Sequence, residues 1–207
     1  MTQVIQYTEF GGPEVLTPAE AAASAPGPGE VAVRVEAVGV NPIDAKLRAG
    51  LRASDPIVEP RRVGSDAAGT VTAVGADVEG IRPGDAVVVF GAQGAYADEL
   101  VVPARHVEPR TPRVTAAEGA ALGVPAGTAY QALRSLDVRA GDTLLIHGGS
   151  GAVGQAAIQF AALWGATVVA TASPRRHERL RELGAIPVAY GDGLAQRVRE
   201  AAPQGVT

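Results

Sequence analysis

Hydrophobic positions change their period along the chain. Over about the first hundred residues they alternate, as in strands that bury one face. Val31, Val33 and Val35 interleave with Ala32, Arg34 and Glu36 after the turn cluster Pro26-Gly27-Pro28-Gly29, which predicts a half-buried strand. Further strands are predicted at Gly69–Val74 and Ala86–Phe90, with Arg82-Pro83-Gly84-Asp85 as the turn between them. A short helix is expected after Asn41-Pro42 and is stopped by Gly50. Residues 105–115, with Pro109 and Pro112, read as an irregular connection. Short strands, many glycines and few helices together predict a small barrel-like or sandwich-like β domain.

From Ala116 helix and strand alternate. Helices are predicted at Ala116–Leu122 and Thr128–Leu133, a strand at Thr143–His147, and then a helix whose Val153, Ala156, Ala157, Phe160, Ala161 and Trp164 form one apolar stripe. A second strand follows at Thr167–Thr171. Ser173-Pro174 opens the next helix and Gly184 closes it. The third strand, Ile186–Tyr190, contains Pro187 and therefore belongs at a sheet edge. A last helix follows, with Leu194, Val198 and Ala201 on one face. Val206-Thr207 begins what reads as a fourth strand, to lie beside the first. The expected division is a β domain over 1–118 and an α/β domain over 119–207.

The run Leu144-Leu145-Ile146-His147-Gly148-Gly149-Ser150-Gly151-Ala152-Val153-Gly154 joins the first of these later strands to its helix. Gly149-x-Gly151-x-x-Gly154 is a dinucleotide-binding fingerprint in its proper context of strand, turn and helix. The first glycine is expected to permit the tight turn, the second to let a pyrophosphate approach the backbone, and the third to let the helix pack closely. Residues 149–154, Ser150, Ala152 and Val153 included, would face the phosphates with helix N-terminal N–H groups. A glycine-rich turn that binds nothing would share the string. Cofactor choice turns on the end of the second strand, about 20 residues on, where NAD enzymes place a carboxylate for the ribose hydroxyl. This chain has Thr171-Ala172-Ser173-Pro174-Arg175-Arg176 there. A hydroxyl and a guanidinium suit a 2′-phosphate, so NADPH is favoured. Ser173 could also be a plain N-cap, and the arginines a solvated helix face.

Composition narrows the chemistry. Among 207 residues, 46% are hydrophobic, 19% are charged and the net charge is −4, which gives no polyanion-binding footprint and argues against nucleic acid. With no cysteine, disulfides, thiolate zinc sites and thiol nucleophiles are excluded. The three histidines, His106, His147 and His177, lack ligand spacing. No signal peptide and no membrane-spanning run is legible, so a cytoplasmic protein is expected. No nucleophile–base set or carboxylate pair is evident.

Taken in order, Gly39-Val40-Asn41-Pro42-Ile43-Asp44, Val63–Val71, Arg82–Val87, Gly94-Ala95-Tyr96-Ala97-Asp98, Gly127-Thr128-Ala129-Tyr130 and the His147–Gly154 loop make the chain resemble the zinc-free quinone oxidoreductases. These form the zeta-crystallin-like group of the medium-chain dehydrogenase/reductase superfamily. The resemblance implies a GroES-like β-barrel-type substrate domain followed by a Rossmann doubly wound parallel sheet. Family members run about half as long again, so a C-terminally truncated form is expected, holding the first half of that sheet. Zinc-dependent relatives have Cys at Val40 and His at Ser65, so no metal site is implied. The resemblance further implies hydride transfer from NADPH to a quinone or activated C=C. Asn41 and Asp44 would line the nicotinamide cleft, Thr128 would lie near the nicotinamide, and Ser173, Arg176 and Tyr190 would meet the 2′-phosphate end. Asn-Pro turn formation, a helix-start aspartate and a helix cap are the bland alternatives for Asn41, Asp44 and Thr128. Leu51-Arg52 stands where many relatives carry a substrate-stacking aromatic, and Tyr130 reads better as a core or interface tyrosine than as a proton donor. A family-like homodimer is compatible with the sequence. Two other readings compete: an enoyl-thioester reductase of polyketide type, and a truncated, non-catalytic NADP-binding or interaction protein whose bare strand edge pairs with another chain.

Overall fold

Valines at every second position make an extended backbone the arrangement that buries Val31 and Val33 on one face. The computed structural model describes residues 1–51 and 56–207. Eight strands fall in its first part: β1 (Thr2–Tyr7), β2 (Thr17–Ala21), β3 (Glu30–Gly39), β4 (Arg61–Arg62), β5 (Asp66–Val74), β6 (Ala86–Val89), β7 (Glu99–Pro103) and β8 (Val107–Pro109). They form an antiparallel five-stranded sheet ordered β7-β3-β5-β6-β8 and a three-stranded sheet ordered β2-β1-β4. Ile5 N–H donates to Tyr96 O at 2.8 Å and Asp98 N–H to Gln3 O at 3.0 Å, which stitches β1 to the segment ahead of β7. Val31, Val33, Val71, Val87, Val89 and Leu100 fill the core. β3 is bulged between Val35 and Ala37 and passes so close to β5 that a Cβ on Gly69 would lie 2.0 Å from Arg34 O.

Two parts of this unit depart from the pattern read in the sequence. The connection at 105–115 contains β8, which pairs with β6 from Val89↔Val107 to Val87↔Pro109. Its proline is tolerated because β8 is an edge strand. The compact units divide at Met1–Val124 and Pro125–Thr207, six residues beyond the expected division. The cause is helix α2 (Ala116–Ala120), which follows α1 (Pro42–Arg48) in the chain and packs Ala120 against Ala68 and Val88 of the first sheet. Its alanines suggest the helical half, yet the sheet takes it because small residues permit close approach. A Cβ on Gly119 would lie 2.6 Å from Val88 Cγ1.

The later elements are α3 (Gly123–Ser135), β9 (Thr143–Ile146), α4 (Ala152–Leu163), β10 (Thr167–Thr171), α5 (His177–Glu182), β11 (Ala185–Val188) and α6 (Leu194–Ala201). The sheet is parallel, in the order β11-β10-β9, with Pro187 on the edge strand as anticipated. Leu133 of α3, Ile158 and Ala161 of α4 and Leu180 of α5 form one core. Val169 and Val188 form another with Leu194 and Val198 of α6. The stripe on α4 differs from expectation at one end: Val153 is exposed, and Ile158 is fully buried in its stead. Tyr130 sits edge-on to Phe160 and to Trp164, with centroids 5.9 and 5.8 Å away, while Phe160 and Trp164 stack at 6.1 Å. Thr207 N–H donates to Thr143 O at 2.9 Å, so the last residue runs beside β9, where a fourth strand was expected. Among the described residues, no helix is long and apolar enough to cross a membrane.

Candidate functional site

The turn between β9 and α4 assigns its glycines differently from the motif rule. The left-handed residue is Gly148 (φ +69°), one position before the motif, and Gly149 is not in that region. Gly149 is instead required by packing: a Cβ there would lie 2.8 Å from Ala170 Cβ and 3.0 Å from Leu180 Cδ2. Gly154 is buried against the turn itself, with its virtual Cβ 2.4 Å from Gly148 O and 2.8 Å from Gly149 Cα. Gly151 is exposed, and its virtual Cβ meets only Gly148 O, at 3.3 Å. The turn is anchored to the end of β10, where Gly148 N–H donates to Thr171 Oγ1 (3.0 Å) and Gly149 N–H to Thr171 O (2.9 Å). Gln155 N–H makes a helical bond back to Gly151 O, so the amides of Ala152, Val153 and Gly154 stand ahead of it at the helix start. Ser150 O accepts from Gln155 Nε2. The helix start thus presents free N–H donors, which suit an anion.

Beyond β10, Ser173 occupies the N-cap position of a 3-10 turn, Pro174–Arg176, that runs into α5. Its hydroxyl makes no capping bond; the turn is closed by Arg176 N–H donating to Ser173 O at 2.8 Å. The capping role read for its side chain is therefore absent here, and the hydroxyl stays available. Arg175 and Arg176 are exposed, and Tyr190, after β11, is 64% exposed. His177 turns inward to Ala172 O.

In the first unit, the structure links Asn41 and Asp44 through a buried polar network that sequence reasoning did not assemble. Asp44 Oδ2 accepts from Asn41 N–H (2.8 Å) and from Tyr96 Oη (3.0 Å). Asn41 Nδ2 donates to Asp66 Oδ2 (2.9 Å), which also accepts from Val124 N–H (2.8 Å). Among the described residues, Asp66 Oδ1 is buried without a partner. Burial pushes the Asp66 carboxyl upward and the nearby Asp44 charge adds to this, while the bonds from Val124 and Asn41 oppose it. Burial, then the Asp44 charge, raises the Tyr96 phenol too, so Tyr96 remains the donor. Asp44 Oδ2 thus ties the Asn41 backbone to the Tyr96 side chain. Asp66 and Tyr96 were visible in the sequence only as members of motif segments, and no local spacing joins them to Asn41.

Asp44 also lines a cleft of about 640 Å³ with Leu47 and Leu51, Arg61 and Arg62, and the turns Val63–Ser65 and Ala92–Gly94. Leu51 thus stands in the cleft wall, whereas Arg52 lies outside the described residues. Val40 is 79% exposed and Ser65 is on the cleft; neither offers a good metal donor. Among the described residues, no three His, Asp or Glu side chains gather as a metal-binding group. Thr128 is exposed on α3, and Tyr130 belongs to the aromatic cluster.

The alcohol dehydrogenase GroES-like domain family matches residues 27–112. Human quinone oxidoreductase is 36% identical over 87% of this chain, and the match spans 55% of that protein. A pikromycin polyketide synthase component of Streptomyces venezuelae is 40% identical over 84% of this chain and 5% of its own length. Among solved structures, Escherichia coli quinone oxidoreductase complexed with NADPH superposes with a TM-score of 0.83 at 29% identity, over 96% of this chain and 62% of that one. The chain thus spans about half the length of the curated quinone oxidoreductase it matches.

Proposed function

We propose that this chain, which belongs to the medium-chain dehydrogenase/reductase superfamily as a homologue of quinone oxidoreductase, serves an NADPH-dependent reductase acting on a quinone or an activated C=C without zinc. The observation that carries this reading is the contrast among the three motif glycines. Gly149 and Gly154 are filled in by their neighbours, while Gly151 alone is open, at the start of a twelve-residue helix. Packing explains the outer two; the middle one, whose added Cβ would meet only Gly148 O at 3.3 Å, leaves room for an approaching ligand. The fit extends to Ser173 and Arg176, whose hydroxyl and guanidinium suit a 2′-phosphate, with Tyr190 exposed nearby in sequence.

NADPH, when bound, supplies the hydride. The turn amides and Gly151 would hold its pyrophosphate, and Ser173 and Arg176 its 2′-phosphate. Asn41 and Asp44 would orient the reacting groups, with Thr128 near the nicotinamide, and the bond from Asn41 Nδ2 to Asp66 Oδ2 fixes the Asn41 side chain before anything binds. An electron-poor acceptor takes hydride directly, so no protein nucleophile is needed, and water can deliver the proton. A cytoplasmic location and a homodimer accord with this reading. The similarity to a polyketide synthase component favours a second acceptor class, an enoyl thioester.

The test is calorimetric titration with NADPH and NADH. Gly151→Ala is expected to leave thermal stability within about 1 kcal/mol, because its methyl meets only one atom closely. It should weaken NADPH binding by about tenfold or more by crowding the phosphates. Arg176→Gln should cost NADPH affinity and leave NADH unaffected. Equal binding of both nucleotides by the wild type would sink the 2′-phosphate assignment. Unchanged NADPH affinity in Gly151→Ala would sink the glycine-loop argument.

A further inference from the structure

The cleft beside Asp44 has an uneven charge lining. Leu47 and Leu51, 44% and 51% exposed, form an apolar wall. Asp44 is 4% exposed, and its Oδ2 accepts from Asn41 N–H and Tyr96 Oη, so these donors partly offset a charge held away from solvent. Opposite stand Arg61 and Arg62, both exposed, and among the described residues neither forms an ion pair. In a chain of net charge −4, two adjacent arginines without an ion-pair partner among the described residues, on a cleft whose one acid is buried, run against the overall balance.

Their placement is built in. β4 is held by β1 through the pairs Gln6↔Arg62 and Tyr7↔Arg61. The Arg62 stem lies over Gly94, where a Cβ would be 2.6 Å from Arg62 Cβ and 2.9 Å from its Cδ, and Gly94 has φ +91°. Only glycine leaves that path open. Arg61 sits over the Phe10 ring at 5.3 Å, and Gly50 lies so close to that ring that a Cβ there would be 3.2 Å from Phe10 Cγ. Each of these two cleft-lining side chains thus has its own support, Arg61 on the Phe10 ring and Arg62 along Gly94, which lowers the entropy lost on binding an anion.

We propose that Arg61 and Arg62 form an oxyanion-recognising rim, so that the acceptor of this reductase carries an anionic group (sulfonate, carboxylate or phosphate) apart from its reducible bond. The inference rests on the reductase reading above and adds no chemical step to it. It narrows the acceptor from any electron-poor quinone or alkene to one with a flat apolar part and a charged substituent.

The test is calorimetric titration of the full chain with a naphthoquinone and with its sulfonate, at low and at raised salt. The sulfonate should bind about tenfold more tightly at low salt, with the margin shrinking as salt screens it. Arg62→Gln should erase most of that margin while leaving neutral naphthoquinone affinity as it was. Arg62→Lys should keep a good part of it, and Arg61→Gln should lose less. An enoyl pantetheine thioester and its phosphate ester, compared in the same way, separate a thioester acceptor from a quinone. If neutral and anionic probes bind equally, or if the preference survives Arg62→Gln, the rim proposal is wrong and the reductase reading stands. If no quinone and no thioester binds, both fall together.

Discussion

Asp66→Ala will destabilise the first unit by about 3 kcal/mol, measured by urea unfolding, whereas Asp66→Asn will cost far less. The alanine variant removes the acceptor of the half-buried Val124 amide, leaves the Asn41 side-chain amide only a long bond to Gly39 O at 3.4 Å, and removes the link that holds Asn41 in place. The asparagine variant keeps an acceptor for both and also removes a desolvated charge whose other oxygen has no partner. The two variants therefore separate the worth of the acceptor from the penalty of the charge.

The same carboxylate gives a signed pH dependence. Its folded pKa lies above the ordinary carboxyl value of 3.8 because burial disfavours the ionised form. The native state thus holds the proton more tightly than the unfolded chain. The stabilisation this lends is complete below the unfolded value and is lost as pH rises through the raised folded value. Asp66→Asn should abolish that segment of the profile. A wild type whose stability climbs steadily with pH across this window, with Asp66→Asn following the same curve, would contradict the account.

Gly154→Ala will unfold or severely loosen the second unit, with an expected loss of about 3 kcal/mol or more. The added methyl would sit 2.4 Å from Gly148 O and 2.8 Å from Gly149 Cα, both backbone atoms of a turn already tied to Thr171. No side chain can swing away to make room, so the start of α4 must lift. Gly151→Ala, three residues earlier, makes the matched control. Far-UV circular dichroism in urea decides it: equal midpoints for the two variants would show that the turn yields more easily than its contacts imply.

Legibility in the sequence followed the range of the interactions. The strand–turn–helix at residues 143–163 was readable because its determinants, β-branched residues, glycines and apolar spacing, are all local. So was the edge position of Pro187, since a missing N–H is a property of one residue. The role of Gly148 was not readable: Gly148 and Gly149 are adjacent, and only the packing of Ala170 and Leu180 decides which one turns the chain. β8 stayed hidden because Pro109 reads as a breaker until an edge is available for it. Asp66 and Val124 are 58 positions apart, so their bond, and with it the frame around Asn41, depends on the folding of α2 onto the first sheet. The confinement of Arg62 likewise needs Gly94, which comes to it only through the tertiary fold.

The Tyr130–Phe160–Trp164 cluster has a practical consequence for reading these outcomes. Trp164 is the chain's single tryptophan, and its stacking partners all belong to residues 125–207. Its red-edge-excited emission is therefore a spectroscopic label, already present in the natural sequence, for the nucleotide-motif half alone. Followed beside dichroism, which sums over both halves, that emission should report Gly154→Ala directly and register Asp66→Ala only to the extent that one half's loss is felt by the other.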